Sequence, residues 1–126
     1  MQNRILKNLF EKDWYTPTAT LHQDLQLLQV CDIFRTRVAQ FVYTCVNGDA
    51  PYVFQNCYKA INEMHCYRTR HSDKLHVRKT RTKIGEKSIK IIGAKMYNNL
   101  PQHIVDCKTK QSFKYKLKLH ILKEYE

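Results

Sequence analysis

The side chains best suited to chemistry lie between residues 57 and 95, and they suggest two different chemistries. Cys57, His65, Cys66, His71 and His76 supply thiols and imidazoles, the donors that zinc prefers. Structural zinc sites present close pairs such as Cys-x-x-Cys, which this chain lacks, so the spacing favours ordinary polar loop residues and no metal site is expected. The second set is cationic. Arg68, Arg70, Lys74, Arg78, Lys79, Arg81, Lys83, Lys87, Lys90 and Lys95 are opposed in their own stretch only by Asp73 and Glu86, with Tyr67, His71 and His76 interleaved. Arginine and lysine neutralise phosphates and release condensed counterions on binding, and aromatic rings stack on unpaired bases. Arg68, Arg70, Lys74, Arg78, Lys79, Arg81, Lys83 and Lys87 are therefore the candidate nucleic-acid-binding residues. A merely solvated basic face is the competing reading, and the density of charge favours backbone contact. No recognition-helix pattern is visible, so contact independent of base sequence is expected. Lys114, Lys116 and Lys118, beside Phe113 and Tyr115, belong to a cationic amphipathic helix and would make secondary phosphate contacts.

Enzymatic chemistry finds little support. A polymerase centre needs clustered carboxylates that hold Mg²⁺, usually on an aromatic-x-Asp-Asp turn. Here Asp24, Asp32, Asp49, Asp73, Glu86 and Asp106 are scattered. Gly48, Gly85 and Gly93 are too far apart for a phosphate-cradling loop, and no nucleophile elbow is present. No catalytic residue and no cofactor are expected of this chain alone. A small metal-dependent nuclease is a distant alternative, and a protein-interaction module a nearer one.

The bulk composition agrees with a binding role. The chain has 126 residues, 22 Lys plus Arg against 11 Asp plus Glu, and a formal charge of +11. Such a surplus favours a polyanionic partner, most simply RNA or DNA. With 43% apolar residues and only three Gly and three Pro, the chain is neither disordered nor rich in flexible linkers. No apolar run approaches the ~20 residues that span a bilayer, so no membrane partner is expected. Arg4 and Lys7 are followed by no continuous apolar stretch, so no secretory leader is expected. Cys31, Cys45, Cys57, Cys66 and Cys107, odd in number and widely spread, read as reduced thiols of a nuclear or cytoplasmic protein.

These residues need a scaffold, and periodicity predicts a mainly α one: a small helical domain with one β-hairpin near residues 76–92. A first helix is expected over 2–12, with Ile5, Leu6, Leu9 and Phe10 on one face and Trp14 and Tyr15 folded back as core contacts. A second starts at Thr20, capped by its hydroxyl with Gln23 three residues on, and carries Leu21, Leu25 and Leu28. A third spans 30–46, with Val30, Phe34, Val38, Phe41 and Cys45 as its packing stripe and Asn47-Gly48 as its stop. Pro51 opens a short helix to Tyr58 with Val53 and Phe54 inward, and 59–74 reads as a loop. From Leu75 to Ile92 the period shifts towards two, which predicts two strands around a turn at 83–88, with Gly93 ending the second. A short helix then runs from Ala94 to Leu100, closed by Pro101. Thr109 caps a last helix to about Lys123, with Phe113, Leu117 and Ile121 at four-residue steps. One domain over 1–126 is expected, divided into a helical part (1–58), a basic loop, hairpin and short helix (59–101), and a C-terminal helix (102–126).

The run Arg81-Thr82-Lys83-Ile84-Gly85 … Ser88-Ile89 … Gly93 … Tyr97-Asn98-Asn99-Leu100-Pro101 adds a further clue. It resembles the signature near the C-terminal end of reverse transcriptases from LINE-type, jockey-like non-LTR retrotransposons: Arg-Thr, a Gly, Ser-Ile, a second Gly, then aromatic-Asn-x-Leu-Pro. Other segments are similar to that family in the same order. They are Gln2–Leu6, Trp14–Thr18, Leu25–Leu28, Asp32–Phe34, Phe41–Tyr43, Asn47-Gly48, Pro51, then His65, Tyr67, Thr69 and Arg70, and finally Ser112–Lys114 with Leu117-Lys118. Each motif is weak alone; the shared order covers nearly the whole chain. Three positions depart: Tyr97 stands where the family usually has Trp, Ala94 where Pro is frequent, and Arg68 where Asn is common. The resemblance implies the thumb-like region after the palm of an RNA-directed DNA polymerase. Such a region grips RNA or DNA while chemistry occurs elsewhere, with the polymerase body of the same element as a second partner.

Overall fold

A 17-residue helix with no glycine or proline, α3 (Val30–Val46), organises the molecule. The computed structural model describes residues 1–67 and 69–125. Preceding α3 are α1 (Gln2–Leu9) and α2 (Thr18–Asp24). After it come a 3₁₀ turn (Tyr52–Phe54), α4 (Ile61–Met64), α5 (Lys83–Glu86), α6 (Ile89–Asn98), α7 (Gln102–Val105) and α8 (Lys110–Lys123). The protein is mainly helical, as the periodicity predicts. Among the described residues no helix is long and apolar enough to cross a membrane. All five cysteines are free thiols.

The core forms where α3 packs against α6 and α8, with α7 against α8. Phe113 sits fully buried at its centre, stacked on Tyr43 at 4.3 Å between ring centroids and on Tyr97 at 6.3 Å. Leu117 and Ile121 of α8 continue the same face. Thr109 caps α8 as expected, its hydroxyl accepting from Ser112 N at 3.2 Å. Gly93 lets α6 approach α3: a Cβ there would lie 2.5 Å from Tyr58 Oη and 2.8 Å from Val42 Cγ2.

The hairpin expected near residues 76–92 is not there. Its first arm forms no strand: the only bridge outside helices among the described residues pairs Ala60 with Leu75, antiparallel. Its second arm is helical. Thr82 caps α5 by accepting from Gly85 N at 3.1 Å, and Ile91 N and Ile92 N both donate to Ser88 O at 2.9 Å to start α6. Ile89, Ile91 and Ile92 have strand propensity, but burial decides: Ile91, Ala94 and Tyr97 recur every three residues and reach the core. Gly93, expected to end a strand, lies inside this helix.

Four smaller expectations are also corrected. Helix α1 stops at Leu9, not Lys12, because the chain turns back at Glu11 (φ 50) and Lys12 N donates to Lys7 O at 2.9 Å. Trp14 and Tyr15 do not fold into the core and are 74% and 89% exposed. Helix α2 begins at Thr18 behind Pro17, and the Thr20 hydroxyl donates to Pro17 O at 2.8 Å instead of capping a new helix. Val53 points outward, while Phe54 packs edge-on against Phe41 at 5.4 Å.

Candidate nucleic-acid interface

The basic arm from Leu75 to Thr82 is placed by its apolar members. Leu75 is buried and Val77 packs against the core, which sends His76 and Arg78 to the outside. Hydrogen bonds to its main chain, from a side chain on one edge and from backbone on the other, fix the register. Leu75 N donates to Asn98 Oδ1 and Asn98 Nδ2 donates to Leu75 O, both at 2.8 Å, and His76 N donates to Lys59 O at 2.8 Å. On the same backbone edge, Ile61 N donates to Lys74 O at 2.9 Å and Asn62 N to Ser72 O at 3.0 Å.

Between this arm, the 56–59 segment, α4 and the start of α6 lies a groove of about 840 Å³. Arg78, Lys79 and Arg81 line it, joined by His76, Lys59 and Lys90. Cys57, Met64 and Ile91 also line it, with Asn56, Thr80, Thr82, Gly85 and Ser88. Among the described residues no aspartate or glutamate does. The ion pairs among the described residues are Arg35–Asp32, Arg35–Glu124 and His120–Glu124, all remote from the groove's cations. Tyr58, buried between the groove residues Cys57 and Lys59 in sequence, donates to Ile89 O at 2.9 Å, and burial pushes its phenol up to about 12.

Three of the eight candidate residues thus converge. Lys83 and Lys87 border a separate depression of about 540 Å³ with Glu86 and Lys95. Arg70 and Lys74 are exposed in the loop before Leu75 and line neither. Arg68 lies outside the described residues. Lys59 was not a candidate: it is distant in sequence, and only the Ala60–Leu75 bridge brings it alongside the arm. Of the thiol and imidazole set, Cys57 and His76 reach the groove, but among the described residues no three His, Cys, Asp or Glu side chains come together as metal ligands do. Against known proteins, the chain matches no family model, no curated protein and no solved structure.

Proposed function

We propose that this chain binds the phosphate backbone of RNA or DNA through the groove lined by Lys59, Arg78, Lys79, Arg81 and Lys90, as the C-terminal, thumb-like part of a non-LTR retrotransposon reverse transcriptase. The observation that carries the reading is five cationic side chains on one groove with no carboxylate in its lining among the described residues. Like charges held together repel, and a polyanion relieves that repulsion while releasing its own counterions. The ordered family motifs support the assignment to an RNA-directed DNA polymerase. In this reading nucleotide transfer belongs to a palm carried elsewhere, and the chain needs no catalytic residue, metal or cofactor of its own.

The test is charge reversal. The triple variant Arg78→Glu, Lys79→Glu, Arg81→Glu weakens binding of unrelated sequences alike and lowers the slope of log affinity against log salt by about 2–3, one unit per lost phosphate contact. Unchanged affinity or an unchanged slope in filter binding overturns the proposal.

A second reading, a protein-interaction module, is favoured by the outward face of α3. Val30, Ile33 and Phe34 are 64%, 44% and 58% exposed. An apolar stripe of that kind marks many docking sites. Sedimentation of the chain alone separates the readings: self-association that Phe34→Glu abolishes favours the module.

A further inference from the structure

The groove has more than the charge a phosphate rail requires. Its cations share the lining with Cys57, Met64 and Ile91. Met64 leaves 47% of its surface open, while Ile91 is buried and rooted in α6. Thr80 and Ser88 bring hydroxyls to the same space. A duplex presents ridges of phosphate and keeps its base faces stacked inside, so it would use the cations and leave the open side of Met64 in water. An unpaired strand carries bare base faces between its phosphates and satisfies both. The volume also fits, since pockets for small organic groups span about 300–1,000 Å³. Tyr67, 82% exposed, follows Met64 by three residues, a chain reach of about 10 Å at most, and offers a ring for a neighbouring base.

We infer that the groove takes a nucleotide of a single strand, its base against Met64 and Ile91 and its flanking phosphates on Arg78, Arg81 and Lys90. This rests on the backbone-binding reading and names the strand state that the same site prefers. Arginine and lysine at the rim fix the phosphates without reading sequence, and the apolar contact is equally indifferent to base identity.

Fluorescence anisotropy in equal salt tests it, using an unstructured labelled oligonucleotide of about 20 residues and a blunt duplex of the same sequence. The single strand binds at least about fivefold more tightly, and Met64→Ser removes about that factor for the single strand while the duplex changes by less than about twofold. Met64→Leu restores the preference. Met64 is half exposed, so neither substitution threatens folding, and circular dichroism confirms it. Equal or tighter duplex binding with an intact salt slope overturns the inference and leaves backbone binding standing. Single-strand affinity unchanged in Met64→Ser also overturns it. Salt-independent binding, or none, for both probes overturns the inference and the backbone-binding reading together.

Discussion

Three helices end in the same hydrogen-bonded turn, but with different residues at its apex. In α3 the apex is Gly48 (φ 78), with Asp49 N donating to Thr44 O at 3.0 Å. In α1 it is Glu11 (φ 50), and in α2 it is Gln26 (φ 49), with Leu27 N donating to His22 O at 2.9 Å. Glycine adopts that backbone freely, whereas an L-residue pays about 1–2 kcal/mol there. The strained turns both belong to the N-terminal arm, residues 2–28. The arm is also held differently. Helix α1 buries no residue. It attaches through polar hooks: Gln2 donates to Leu28 O and accepts from Val30 N, both at 3.1 Å, and the Asn3 amide meets His22 Nε2 at 2.8 Å. The core of α3, α6 and α8 is held by shape and apolar packing. Packing of that kind is sensitive to changes of volume, while hooks and a strained turn set α1 at the low-stability end of the molecule; α2 is better anchored, with Leu21 and His22 fully buried.

The contrast can be broken most decisively at Phe113. Phe113→Ala empties the stacked centre and is expected to cost about 3–5 kcal/mol in urea denaturation. A loss below about 1 kcal/mol would mean the core is not packed as described. Gly93→Ala comes next. Overpacking costs about 1–3 kcal/mol, and alanine's better helix propensity returns up to about 1, so a net loss of about 1–2 is expected. Pairing it with Tyr58→Phe, which removes the nearest atom, recovers part of that loss if Tyr58 Oη is the obstacle.

A graded effect is expected at alkaline pH. Burial pushes the phenols of Tyr58 and Tyr97 up to about 12; burial and then the hydrogen bond to Asp32 do the same for Tyr125. An unfolded tyrosine ionises near 10, so the folded state holds these protons more tightly. Their contribution is complete below about pH 10 and is lost as pH rises towards 12. Urea midpoints should be flat to pH 9 and fall steeply above 10. The smallest effect has the opposite sign. Gln26→Gly relieves the left-handed turn and should add about 0.5–1 kcal/mol, reduced by the entropy glycine brings to the unfolded chain. The same replacement in the core turn is already made by nature at Gly48, so Gly48→Gln should lose a similar amount.

Much of the scaffold was legible because its signals are local. The stripe of α3 and the Asn47-Gly48 stop predict its bounds, and Thr109 with Phe113, Leu117 and Ile121 predicts α8. Even there the stripe holds only from its middle onward: Val38 and Cys45 are buried and Phe41 packs against the core, while in the first turns Val30 and Phe34 face solvent and Asp32 and Thr36 are buried. The Tyr125 hydroxyl donates to the Asp32 carboxylate at 2.5 Å from the far end of the chain, and no local pattern reports that partner. Residues 83–92 were misread because isoleucine-rich segments suit strands and helices alike, and the deciding contact is the distant pair Tyr58 and Val42 around Gly93. The charge of the groove was legible in its own segment. Its far wall at Lys59 and its apolar lining were not, because they come from elements that only folding brings together.

Asn98 explains how a segment paired on one edge only, with Ala60, holds its other edge. A primary amide offers one acceptor and one donor side by side, the same pair a peptide group offers. By engaging both main-chain groups of Leu75, this one side chain does the work of a neighbouring β-ladder. The cationic ribbon is thereby bolted to the last turn of α6. Force applied to that segment passes directly into the packed interior, so anything that restrains the ribbon should also stiffen the core.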